Sequence, residues 1–286
     1  MNRLLIILGP TAVGKTDYSI EVARKYGSPI ISCDSRQIYR EMSIGTAVPS
    51  EEQLAAVQHY FIRTRSIHDE MYTAGKYELE AVALLERLFA EGHETLVMAG
   101  GSGFYIDAVC NGLDDFPPAD QQLRAELSER LRAEGVESLR LDLKHLDPES
   151  YETIDIANGQ RVVRALEVCL MTGRKFSSFK TSVTKKRSFE IEKIGISRPR
   201  DVLYDRINRR VVQMMDDGLL EEARSLYAYR GLPALQTVGY RELFDYFDGK
   251  CSLDKAVELI QRNTRHYAKR QMTWWGRDKD IDWMTF

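Results

Sequence analysis

An α/β protein with a mostly parallel sheet, helices on both faces and a helical insertion is predicted by three observations. Short apolar runs alternate with helix-period segments over roughly the first 110 residues. The first run passes directly into a glycine-bounded loop and then a helix. From about residue 114 the strand pattern stops, and helical patterns follow one another until Phe189.

The first element is the strand at residues 4–8, LLIIL, followed by Gly9-Pro10-Thr11-Ala12-Val13-Gly14-Lys15-Thr16 and a helix over 17–25. The loop matches the phosphate-binding pattern of two glycines, Lys and Ser/Thr, in the strand-to-helix context the mechanism needs. Such a turn aims successive backbone N–H groups and the positive end of a helix dipole at one point. Gly9 and Gly14 let the backbone close around an anion, Lys15 adds a charge, and the Thr16 hydroxyl can hold Mg²⁺. These residues predict phosphate or diphosphate binding and leave open whose phosphate it is.

A second strand, residues 30–34, ends in Asp34. Ligands of open α/β sheets sit beyond the carboxyl ends of strands, which places Asp34 in the same crevice as the loop. It reads as a base or hydrogen-bond acceptor for a substrate, or as the cap of the next turn. Ser35, Arg36 and Gln37 follow on that turn. His59 and His68 have no partner at metal spacing. A helix over 77–91 leads to a buried strand over 95–99, then to Gly100-Gly101-Ser102-Gly103 and a helix over 104–109. This third strand ends in glycine. The only apolar strand ending in Asp carries Asp34, which suits a small kinase or group transferase better than a motor or GTPase.

Composition is that of a soluble globular protein of 286 residues, 43% hydrophobic and 29% charged. Apolar runs of about five residues fall far short of the roughly 20 needed to cross a bilayer. Strand pattern at the N-terminus predicts no signal peptide. Four scattered cysteines argue against structural zinc and for a reducing cytoplasm. The net charge of −3 weighs mildly against nucleic acid, although it hides local patches.

Past the proline-containing linker at 113–120, helices are predicted over 121–133, 136–143 and 159–171. The resulting division is a core of 1–113 plus 197–286 and an insertion of 114–196. Within the insertion, Gln160 is followed by Arg161 and Arg164, three apart on one helical face. The basic run at 180–187 reads first as a solvated loop. Beyond it, Asp201 is the expected N-cap of a helix to 216 in which Arg206, Arg209 and Arg210 cluster. Further helices cover 219–227, the stretch from 237, and 253–270, the last being basic and followed by Trp274 and Trp275.

Seven stretches together resemble one family, the tRNA dimethylallyltransferases. They are GPTAVGKT at 9–16, SCDSRQIYREMSIGTAVP at 32–49, AGGSGFY at 99–105, NGQRVVRALEV at 158–168, LYDRINRRVVQMMDDGLLEEA at 203–223, TVGYREL at 237–243 and AKRQMTWW at 268–275. The resemblance implies transfer of a dimethylallyl group from its diphosphate to N6 of the adenosine on the 3′ side of a tRNA anticodon. It implies a diphosphate held by residues 9–16 with Mg²⁺ at Thr16 and Arg206 reaching in, and Asp34 as catalytic base. It implies tRNA contacts at Asp34, Ser35, Arg36, Gln37, Ser102, Arg124, Gln160, Arg161, Arg164, Gly239 and Arg241, with the insertion clamping the anticodon arm. The implied partners are that arm and dimethylallyl diphosphate, with no DNA, no membrane and a monomeric chain. Ser102 stands where many members have Thr, and Cys33 where Val is commoner. The chain ends soon after Trp283, so a bacterial type without the eukaryotic zinc-finger extension is expected. The rival readings are a small-molecule kinase, an adenylate isopentenyltransferase and a non-catalytic RNA-binding protein. The kinase explains the loop and Asp34 alone, the second needs no insertion, and intact Lys15, Thr16, Asp34 and Arg206 argue against the third.

Overall fold

The computed structural model describes residues 2–181 and 183–286. Met1, and Ser182 within the basic run, lie outside the described residues. The chain divides into two compact units, one of residues up to 110 and from 186 on, the other Asn111–Lys185.

The first unit is built on six parallel strands in the order β3-β2-β4-β1-β5-β6. They are β1 (Arg3–Leu8), β2 (Ile30–Ser32), β3 (His59–Tyr60), β4 (Thr95–Gly100), β5 (Glu190–Ser197) and β6 (Ile281–Thr285). β1 is central because LLIIL is apolar on both sides of its pleat, as a doubly covered parallel strand requires. Leu4, Ile6 and Leu8 face one core with Leu85, Ile106 and Leu243. Leu5 and Ile7 face the other with Ile20, Ala23, Leu203 and Ile207. The helices concerned include α1 (Lys15–Tyr26), α2 (Glu51–Ala56), α3 (Ala74–Ala90) and α4 (Gly103–Asn111). Because every strand runs the same way, the carboxyl ends of β1, β2 and β4 open on one edge, where the phosphate loop, Asp34 and Ser102 lie.

The second unit contains α5 (Gln121–Glu134), α6 (Val136–Leu146), α7 (Pro148–Thr153) and α8 (Gly159–Thr172). It has its own core, in which Leu127, Leu139, Leu143, Val162 and Leu166 are buried together. The predicted insertion ran on to residue 196, which is corrected: β5 belongs to the first unit's sheet, pairing with β1 and β6. Its alternating EIEKIGIS gave a strand but not the sheet that receives it. α7, two-residue β3 and β6 were not predicted, although Asp147 followed by Pro148 is a helix-start signal for α7.

The chain returns as α9 (Arg200–Asp216), α10 (Leu219–Leu226), α11 (Tyr240–Phe247) and α12 (Leu253–Trp275). The expected cap Asp201 is corrected as well. Pro199 is the N-cap, and Asp201 lies in the first turn, where its charge meets the helix dipole. Trp275 is in the core and Trp274 donates to Asp107 at 2.9 Å, so these rings are structural.

Candidate active site

Between β1 and α1 the loop turns through Gly9 (φ +153°), Ala12 (φ +64°) and Gly14 (φ +109°). A Cβ on Gly9 would sit 2.5 Å from the Ile196 carbonyl oxygen of β5, so glycine is required there for close approach as well as for φ. No side chain caps the start of α1. Its first amides are left for an anion.

Lys15 Nζ donates to the Gly9 and Pro10 carbonyls, both at 2.8 Å. Burial, and then the charge of Arg210, lower its pKa to about 8 against the opposing pull of Asp34. Arg206 Nε donates to Ala12 O and Arg198 Nε to Val13 O, each at 2.8 Å. One helical turn beyond Arg206, Arg210 Nη2 donates to Thr11 Oγ1 at 3.0 Å. Burial also lowers the Arg210 pKa. Arg209 is exposed at the rim of the same cleft and pairs with exposed Asp205. Among the described residues, Lys15, Arg206 and Arg210 have no carboxylate partner. Half-buried cations clustered with no carboxylate in ion-pair contact favour an anion as ligand.

Asp34 lies just past β2. Its Oδ1 accepts from Arg36 N at 2.8 Å and Gln37 N at 3.2 Å, so the turn-capping reading holds for one oxygen. Its Oδ2 makes no hydrogen bond among the described residues. The turn after β4 is laced to this one: Ser35 N donates to Ser102 Oγ at 2.9 Å, and Ser102 Oγ to Ser35 Oγ at 3.1 Å. Arg36 Nη1 donates to the Pro233 and Ala234 carbonyls, and Gln37 Nε2 to those of Thr46 and Ala47. Gly239, at φ +100°, precedes α11, and its N–H is held by Glu242 at 2.8 Å. Arg241 is exposed. Lys15, Thr16, Asp34, Ser35, Arg36, Gln37, Arg206, Gly239 and Arg241 line one cleft of about 890 Å³. Ser102 is not among its lining residues and meets it through Ser35.

In the second unit Gln160 and Arg161 are exposed. Arg124 and Arg164 instead turn to Glu167, whose side chain is fully buried, at 2.6 and 3.1 Å. Arg164 Nη2 also donates to Pro117 O at 2.7 Å. Removing either partner leaves a buried carboxylate poorly compensated. Arg124→Ala and Arg164→Ala are each expected to cost about 1–3 kcal/mol in denaturant unfolding. Arg161→Ala is expected to leave stability near native.

The IPP transferase family model matches residues 37–278. A relative named tRNA dimethylallyltransferase 2, from Parabacteroides distasonis, is 52% identical over 283 residues, covering 99% of this chain and 94% of its own length. The chain belongs to the IPP transferase family. The full-length tRNA isopentenylpyrophosphate transferase of Bacillus halodurans superimposes with a TM-score of 0.72 at 36% identity, over 100% of this chain and 90% of that one. A eukaryotic dimethylallyltransferase acting on tRNA shares the fold at 24% identity, with a TM-score of 0.83 over 100% of this chain and 74% of that one. The fold is P-loop NTPase-like, as the loop and the alternating strands predicted.

Arg210 and Glu222 are among the site residues that escaped the sequence reading. Arg210 was visible only as one of three clustered arginines, and helical spacing from Arg206 was the signal that could have singled it out. Glu222 carried no signal, because the loop it holds lies nearly 180 positions away. Its carboxylate accepts from the backbone N–H groups of Ser43, Ile44 and Gly45 at 2.8–2.9 Å and from Tyr240 Oη at 2.6 Å. Gly45 is needed there, since a Cβ would meet the Tyr240 ring at 2.6 Å. Glu222 thereby fixes the stretch whose next carbonyls hold Gln37. Glu222→Gln would turn an amide N–H toward backbone N–H groups. It is expected to cost about 1–2 kcal/mol in urea unfolding and to lower turnover several-fold.

Proposed function

We propose that the chain transfers a dimethylallyl group from dimethylallyl diphosphate to N6 of the adenosine on the 3′ side of a tRNA anticodon, releasing diphosphate. One observation carries the reading: Lys15, Arg206 and Arg210, with no carboxylate partner among the described residues, line one cleft with Asp34, whose Oδ2 makes no hydrogen bond among the described residues. The family, and relatives named for this reaction, support it.

The loop amides, Lys15 and Arg206 hold the donor diphosphate, and their charge offsets the negative charge that grows as the allylic C–O bond breaks. Asp34 Oδ2 accepts a hydrogen bond from the N6 amine and aims its lone pair at the allylic carbon. As the N–C bond forms, one N6 proton passes to Asp34 and diphosphate departs. The first unit offers Thr16 as a hydroxyl ligand, and the described residues hold no cluster of three His, Cys, Asp or Glu. That donor set fits Mg²⁺ held mainly by diphosphate oxygens and water. When bound, Mg²⁺ supplies further charge neutralisation at the leaving group. In the insertion, Gln160 and Arg161 contact the tRNA backbone in this reading, which their exposure supports. Arg124 and Arg164 shape the surface that presents them.

Lys15 sets a pH dependence. Its charged form binds diphosphate, and its lowered pKa means that form is lost as pH rises through about 8. kcat/KM for the donor is expected to be level below that pH. Above it the value should fall toward tenfold per unit, as a pH–rate profile at saturating tRNA will report.

The reading is tested with purified protein, unmodified tRNA, dimethylallyl diphosphate and Mg²⁺, followed by mass spectrometry of the nucleosides. Adenosine carrying one five-carbon prenyl group is expected only with both substrates. Its absence, with donor consumed on AMP or ATP consumed on a small acceptor, would overturn the proposal.

A further inference from the structure

Gln271 of α12 is 6% exposed and far in sequence from both loops of the cleft. Its Oε1 accepts from the Thr11 N–H of the phosphate loop at 2.9 Å. Its Nε2 donates to the Gly101 carbonyl of the turn after β4 at 2.8 Å. The two partners fix the amide orientation, because a backbone N–H can only donate and a carbonyl can only accept. A Cβ on Gly101 would lie 2.5 Å from Nε2, so glycine is what lets the amide approach this closely. One residue further on, Ser102 holds the turn that carries Asp34. Glu at 271 retains the Thr11 side and sets an oxygen against the Gly101 carbonyl, whereas Met fills similar volume and meets neither group.

We infer that Gln271 is a positioning residue that sets the spacing between the donor loop and the acceptor turn, so that the allylic carbon and the N6 amine meet in register. The inference rests on the proposed function. Misplacement by about 1 Å is enough to cost on the order of 100-fold in a bimolecular transfer. When the amine is out of register, water competes for the same carbon. It attacks, the C–O bond breaks, diphosphate leaves, and a proton passes to solvent, giving dimethylallyl alcohol.

The test measures, for the native chain, Gln271→Glu and Gln271→Met, how consumed donor divides between prenylated tRNA and dimethylallyl alcohol. Transfer by both variants is expected to fall about 10- to 100-fold, with the alcohol's share rising several-fold and tRNA affinity near native. A role confined to stability would reduce the amount of active enzyme and lower both products together, leaving the division unchanged. A native division in both variants therefore overturns the assignment while the proposed function stands. A native chain that makes no prenylated adenosine overturns both.

Discussion

Asp34→Asn is expected to lower turnover by about 10²- to 10⁴-fold while tRNA affinity stays close to native. The magnitude is that of losing a general base placed on the attacking amine. Asparagine is the informative substitution because Asp34 has two duties on two oxygens. Oδ1 closes the turn by accepting from Arg36 and Gln37, and the Asn carbonyl can do the same. The second position would then carry an NH₂, which donates where the N6 amine also donates and cannot take its proton. Asp34→Ala removes both duties, so it should show the same loss of turnover with added damage to the turn, seen as weaker tRNA binding. Single-turnover rates at saturating donor, together with equilibrium tRNA binding, separate the two effects. Asn turnover within a few-fold of native would remove Asp34 from the proton transfer.

The parts of this protein that were legible in its sequence are those whose cause is local. The phosphate loop declares itself because two positive-φ glycines, the lysine and the flanking strand and helix are contiguous. Asp34 is found because strand ends face the crevice of a parallel sheet. What stayed hidden depends on partners distant in the chain. Nothing near Glu222 marks the loop of Ser43, Ile44 and Gly45 that it holds, and nothing near Gln271 marks Thr11 or Gly101. Helical periodicity put Arg161 and Arg164 on one face, but buried Glu167 draws only Arg164 inward. Alternation identified β5 as a strand without naming the sheet that receives it. β6 was missed because only Ile281 of its five residues is buried.

Lys15→Ala and Arg206→Ala should each lower kcat/KM for the donor by about 10- to 100-fold, with the KM for tRNA near native. Each residue now donates to loop carbonyls, so each both shapes the loop and charges it. Their contribution is largest where the diphosphate gains charge as the C–O bond breaks, so more of the loss should fall in kcat than in donor KM. Inorganic diphosphate already carries the charge of the leaving group, and its inhibition constant should weaken in parallel. Arg206→Lys is expected to recover little, because an ammonium lacks the fork that bonds Ala12 O while reaching onward. The double variant should lose less than the product of the single losses, since Arg210 and the loop amides still share the same anion. Unchanged donor kinetics and diphosphate inhibition in both single variants would place the diphosphate elsewhere in the cleft.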